Sequence, residues 1–226
     1  MLTKVVVVAA GVLLAQSGAH AEVSELRMAT QFGIGAMPMI LIQRNHLLEH
    51  HLADAGLSNV NVQWRQFPGG NPMNEGLLSG SLDIVSGGTT VFITLWSKAK
   101  GATSVKAVGA VSALPLWFMT RDPNVHTLAD LTDRDKISVT TVKVSVHAIL
   151  LQMAAAKIWG PADSGRFDSL TVTMPHGDAA AALMSGTSEI NNHFSAPPFQ
   201  YMEAKAAGVR KITSAEEILG APATYM

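Results

Sequence analysis

Hydrophobic and polar positions alternate with a period of two at two distant places in the chain. Val60, Val62 and Trp64 interleave with Asn61, Gln63 and Arg65, and Leu170, Val172 and Met174 interleave with Thr171 and Thr173. Such alternation marks a strand buried on one side, as at the edge of a sheet. Each strand also stands at the same point of a longer order. The first copy predicts a strand over 26–30, a helix over 38–55 closed by Gly56, the strand 60–67, a helix over 72–78 and a strand over 82–86. The second predicts a strand over 137–141, a helix over 144–159 closed by Gly160, the strand 170–174, a helix over 178–184 and a strand over 189–191.

The last helix-to-strand junction is nearly repeated. Leu77-Leu78-Ser79-Gly80-Ser81-Leu82-Asp83-Ile84 matches Leu183-Met184-Ser185-Gly186-Thr187-Ser188-Glu189-Ile190, with Gly80 and Gly186 where a helix end turns into the left-handed conformation. A helix–Gly–strand junction is common, so the flanking order is what makes this a duplication. Two alternating strand–helix units with right-handed crossovers give an α/β chain of two Rossmann-like lobes, each a parallel-dominated sheet of order 2-1-3. Lobe one spans 22–116 and lobe two 117–220, and 221–226 begins a return crossover. Arg27, Ser138 and Thr140 are polar where central parallel strands are normally apolar.

Between the units the pattern predicts a strand over 105–111. The apolar segment 114–121 holds Pro115, which argues against an ordinary central strand and marks the crossover between lobes. Thr127 to Asp130 has the spacing of a helix N-terminal cap. A helix over 197–207 ended by Gly208, a strand over 209–213 and a helical turn capped by Ser214, with Glu217 three residues on, complete the chain.

Residues 1–21 change the picture of compartment. Lys4 precedes an apolar run from Val5 to Leu14, and Ala19-His20-Ala21 is a small-x-small cleavage site, so the segment reads as a secretory signal peptide with Glu22 as the mature start. The run is too short for the roughly 20 residues of a spanning helix. Cysteine is absent, which excludes disulfides, thiolate metal sites, cysteine nucleophiles and the acylated cysteine of a lipoprotein. The expected location is therefore the periplasm, without a lipid anchor. Of 226 residues, 48% are hydrophobic and 15% charged, and the net charge of −1 offers no basic field to nucleic acid or an anionic membrane.

Ligands of open parallel sheets bind beyond the carboxyl ends of the strands. Four such loops stand out: 31–36, 87–90, 142–145 and 192–197. Their glycines, hydroxyls, amides and free helix N-termini suit a small anion or a polar zwitterion. Thr89, Ser145 and Ser195 serve equally well as caps of their own helices. Gly33-Ile34-Gly35-Ala36 lacks the third glycine and the acidic partner of a dinucleotide site. The competing chemistry is His46-Leu47-Leu48-Glu49-His50, the H-x-x-E-H order of zinc hydrolases. A buried stripe of Leu41, Leu48, Leu52 and Ala55 turns both histidines of that motif outward, so a polar face is the preferred reading and a zinc hydrolase the alternative. Met37, Met39, Met153 and Met184 are expected as core filler, and Trp64, Trp96, Trp117 and Trp159 as buried.

Leu78 to Ile84 followed by Gly87-Gly88, the entry from Asp130-Leu131 to Ile137-Ser138-Val139, and Ser145-Val146-His147-Ala148 resemble the periplasmic substrate-binding proteins of the nitrate, sulfonate and taurine class of ABC importers. The resemblance implies a type II periplasmic binding protein with the domain of thiamine-pyrimidine-precursor-binding proteins: a monomeric, non-enzymatic receptor without cofactor that delivers a small solute to a membrane permease. It also implies ligand contacts near Gln31, Gly88, Thr89, Ser145 and His193. Members of the class continue past the second lobe and recross to lobe one. By that standard the chain is truncated at its C-terminal end and lobe one is incomplete.

Overall fold

A computed structural model of the chain describes residues 23–99 and 104–226, so the signal-peptide expectation lies outside the described residues. Lobe one contains β1 (Glu25–Gln31), the helices α1 (Met37–Arg44) and α2 (Leu47–Asp54), β2 (Asn61–Phe67), α3 (Gly70–Leu78), β3 (Ile84–Val85) and α4 (Thr89–Lys98). β4 (Ser112–Leu114) leads out of it. Lobe two contains β5 (Trp117–Thr120), β6 (Ile137–Val139), α5 (Val146–Trp159), β7 (Thr171–Thr173), α6 (His176–Ser185), β8 (Asn192–Ser195), α7 (Phe199–Glu203), β9 (Arg210–Ser214) and α8 (Ala215–Leu219), and β10 (Ala223–Tyr225) leads back.

The expected strand order is present in both lobes. Lobe one is the parallel sheet β2-β1-β3, and lobe two is β7-β6-β8-β5-β9, in which β7, β6 and β8 run parallel. Gly80 and Gly186 take φ values of +70° and +67°, the left-handed turns expected after α3 and α6. Arg27, unusual in a central strand, reaches sideways from β1, and its Nε and Nη2 donate to Asp83 at 3.0 and 2.8 Å beside β3. The acidic residue of the repeated junction thus fastens the third strand to the first. Glu189 has no such role in lobe two. There the buried Asp135 accepts from Asn191 and Asn192 at 2.8 and 3.1 Å and fastens β6 to β8.

Several elements depart from the sequence expectation. The first long helix is broken: His46 has φ +51°, and α1 and α2 meet there. Residues 104–111 form no strand, because β3 is only two residues long and offers no ladder; they line an apolar groove with α3 and α4. β5 is an interior strand, antiparallel to β8 and β9, with Phe118 and Met119 fully buried. Pro115 is tolerated because it precedes the ladder. β8 begins three residues later than expected. Trp96, Met37 and Met153 are exposed, as are Leu41 and Ala55 of the supposed buried stripe.

The last described residues lie beside the strand that leads out of lobe one. β10 pairs antiparallel with β4, and Met226 and Gly87 exchange backbone hydrogen bonds at 2.9 Å, so two strands join the lobes. The main core lies in lobe two, where Leu150, Leu151 and Ala155 of α5 pack with Phe118, Phe194 and Phe167. Lobe one has a small core of Ala29, Met73 and Leu82.

Candidate functional site

The carboxyl ends of both sheets face one another, and a cavity of about 290 Å³ lies between them. Lobe one supplies Gln31 and Phe32 after β1 and Pro68 after β2. Lobe two supplies Thr140 after β6, His176 and Asp178 at the start of α6, and Phe199 of α7. The cleft continues toward Ser86, Leu114 and Ala196, again past Gln31 and His176. Apolar walls with a few convergent polar groups are the usual character of a small-ligand site. The first N–H groups of α6 have no partner within the helix and add a favourable field for negative charge.

The lobes also pack closely where Gly69 meets the end of β6. A Cβ on Gly69 would come within 2.7 Å of Thr141 Oγ1 and 2.9 Å of the Thr140 carbonyl oxygen, so only glycine fits. Beside it the starts of α4 and α5 abut. Thr90 donates to the Val144 carbonyl at 2.9 Å, and a Cβ on Gly88 would touch Val146 at 3.6 Å.

The residues expected at the site divide accordingly. Gln31 lines the cleft. His193 is fully buried one layer behind it, with Nε2 2.9 Å from His176 Nδ1. Thr89 does not cap α4; its hydroxyl donates to the Thr224 carbonyl of β10 at 2.8 Å. Ser145 is a cap, accepting from the Ala148 N–H at 3.3 Å, and is buried. Gly88 is the N-cap residue of α4 at the seam. Gln31 is therefore on the cleft wall and His193 one layer behind it, while Gly88, Thr89 and Ser145 lie at the seam between the lobes.

Sequence reasoning missed His176, Asp178 and Phe199. Met174-Pro175-His176-Gly177-Asp178 follows an edge strand exactly as the four chosen loops follow theirs, and applying the rule to every strand would have included it.

Behind His176 sits a buried polar cluster. His193 Nδ1 lies 2.6 Å from Glu203 Oε1, both side chains wholly enclosed. The His147 ring meets His176 edge-on, with centroids 4.7 Å apart. Burial foremost, and then the charge of His193, hold His147 down to about 3. His176 is likewise held well below the ordinary histidine value, by burial first and then by His147 and His193. Both rings are neutral near pH 7.

The zinc alternative finds no support. His46 precedes the first turn of α2, so the motif is not on one helix, and its ring is exposed and lies 3.6 Å from Glu49. Among the described residues no three histidine, aspartate or glutamate side chains are placed to hold one metal ion. No helix there is long and apolar enough to cross a membrane.

No protein-family profile matches the chain, and no curated protein does. Solved structures do. The alkanesulfonate-binding protein SsuA from Xanthomonas axonopodis pv. citri, bound to MOPS, is 23% identical, with a TM-score of 0.64 over 91% of this chain and 66% of its own. The periplasmic aliphatic sulphonate binding protein SsuA from Escherichia coli is 23% identical, with a TM-score of 0.57 over 89% of this chain and 64% of its own. A protein of Bordetella bronchiseptica RB50 is 20% identical and reaches a TM-score of 0.68 over 89% of this chain and 63% of its own. The chain thus has the periplasmic binding protein fold and spans less than two thirds of the length of these structures.

Proposed function

We propose that the protein is a solute receptor that closes on a small anionic or zwitterionic organic molecule, of the sulfonate, taurine or nitrate kind, and delivers it to an ABC importer permease. The observation that carries this reading is the cleft itself: two sheets present their carboxyl ends to one cavity, with the start of α6 and the His176 ring as its polar wall. The fold shared with two sulfonate-binding proteins supports the ligand class. Asp178 at the rim gives the ammonium of a zwitterion a partner. Gln31 and His193, the latter through His176, serve the solute. Gly88, Thr89 and Ser145 set how far the lobes close. The receptor acts as a monomer in the periplasm after removal of residues 1–21, and performs no reaction.

Calorimetry with ethanesulfonate, taurine, nitrate and sulfate tests the proposal. Binding of at least one, weakened by Gln31→Ala by about tenfold for a lost hydrogen bond, is expected. If none binds, the receptor reading fails for this ligand class.

A further inference from the structure

Pro68-Gly69-Gly70 runs between the lobes, and its two glycines face different walls. Gly69 faces lobe two, where a Cβ would lie 2.7 Å from Thr141 Oγ1 and 2.9 Å from the Thr140 carbonyl oxygen. Gly70 faces its own lobe, where a Cβ would lie 2.6 Å from both methyl carbons of Val91 in α4. The start of α3 is thus held between α4 and the loop after β6, with both glycines buried.

Both walls are fixed. Val91 is buried, and its carbonyl accepts from Asn74 Nδ2 at 3.2 Å, which ties α4 to α3. On the other side the Thr141 hydroxyl donates to the Thr140 carbonyl at 2.8 Å. The Ser145 N–H donates to the Thr141 carbonyl and the Val142 N–H to Thr173 Oγ1, each at 3.1 Å, so the loop is fastened to the start of α5 and to β7.

The local backbone does not require glycine at 69. Its φ of −167° and ψ of 177° are extended values that any residue adopts. The three atoms nearest the added Cβ all belong to lobe two, so it is the facing lobe that excludes a side chain. Pro68 and Thr140, the neighbours of the touching residues, both line the cleft. The contact therefore lies at the edge of the cleft, and space taken up by a side chain at 69 is added to its width.

We propose that the bare backbone of Gly69 sets how closely the two lobes approach, and that this spacing makes Gly69 a specificity-determining residue: it keeps the cleft narrow enough for one small solute to touch Gln31 of lobe one and His176 of lobe two together. A methyl group at 69 holds the lobes apart. A short solute then loses one wall, while a longer one still spans both. The effect on solutes rests on the receptor reading above; the effect on the lobes does not.

The chain has no cysteine, so Ala53→Cys on α2 and Ala181→Cys on α6, both at exposed positions, can carry spin labels that report the distance between lobes without following a shift of α3 alone. In the full chain without solute, Gly69→Ala and Gly69→Ser should both lengthen that distance, and Gly69→Leu should lengthen it further. Serine separates this effect from helix capping, because it is a good cap for α3: Gly69→Ser would repair a capping loss but not a clash between lobes. Calorimetry with ethanesulfonate and hexanesulfonate reads the cleft. Gly69→Ala should weaken ethanesulfonate binding about tenfold, as for one lost hydrogen bond, and hexanesulfonate binding less. Unchanged distances, or Gly69→Ser behaving as the parent, overturn the proposal. Loss of folding in both variants overturns it as well, because a contact between lobes leaves each lobe's own core intact. Longer distances with unchanged ethanesulfonate affinity overturn the role in specificity. If the parent binds neither sulfonate, the receptor reading fails for this ligand class and the role in specificity falls with it, while the distances still decide the spacing.

Discussion

α5 of lobe two and the α1–α2 pair of lobe one stand at the same place in their units, directly after the first strand. α5 runs unbroken for 14 residues, with Leu150, Leu151 and Ala155 buried. Its end is held by the 3-10 segment Pro161–Leu170, where Phe167 packs on Trp159 and Arg166 lies 4.2 Å over that ring. In the α1–α2 pair only Met39 is buried, and the chain bends at His46. Both stretches have enough apolar residues for a helix. The difference teaches that a helix of this length is stabilised by what packs along it more than by its own propensities, and lobe two provides that packing on both sides.

The largest test of this asymmetry compares one core substitution in each lobe. Phe118→Ala should cost about 3–5 kcal/mol in urea unfolding, the range for an aromatic lost from a closed core. Leu52→Ala on the half-buried face of α2 should cost less than about 1 kcal/mol. Equal losses would break the comparison.

Next in size is the seam between lobes. Ser145→Ala removes the cap of α5 and should lower stability by about 1 kcal/mol, read as faster amide exchange in the first turn of α5. Thr89→Ala deletes the bond to β10, and should leave the melting of lobe two unchanged while amides of β4 and β10 exchange faster. Slower exchange there would contradict the hinge role assigned to Thr89.

A smaller effect sharpens the contrast in how the lobes hold their third strand. The hydrogen bonds from Arg27 hold Asp83 below the ordinary carboxylate value. The folded value is the lower one, so this contribution is complete above the unfolded carboxylate pKa and is lost as pH falls through the folded one. Asp83→Asn should cost at most about 1 kcal/mol at neutral pH, because the pair is partly exposed, and should abolish the corresponding acid loss in β1 and β3 exchange. An unchanged acid profile would rule out the clamp.

The smallest expected effect is that of His46→Ala with His50→Ala, within about 0.5 kcal/mol of the parent. Stoichiometric zinc in the parent, lost in the double variant, would revive the hydrolase alternative.

Much of the architecture was legible. The strand orders 2-1-3, the turns at Gly80 and Gly186 and the caps at Thr127 and Ser214 follow from local patterns that depend on a few neighbouring residues. The site was legible in kind more than in detail. Gln31 is on the cleft wall by the strand-end rule, but the same rule gave equal weight to Thr89 and Ser145, whose hydroxyls bond within the seam. Whether a hydroxyl faces a cavity or a neighbouring strand depends on a lobe distant in sequence.

The chain's sequence by itself determined the two units, their order of strands and helices, and the loops from which a site could be drawn, because periodicity and turn chemistry act over a few residues. Tertiary structure alone decided that β5 enters the sheet of lobe two, that α1 and α2 bend apart, and that Glu203, His193 and His176 line up behind the cleft. Those outcomes depend on burial and on hydrogen bonds between segments brought together only when the sheets form, and no local pattern carries that information.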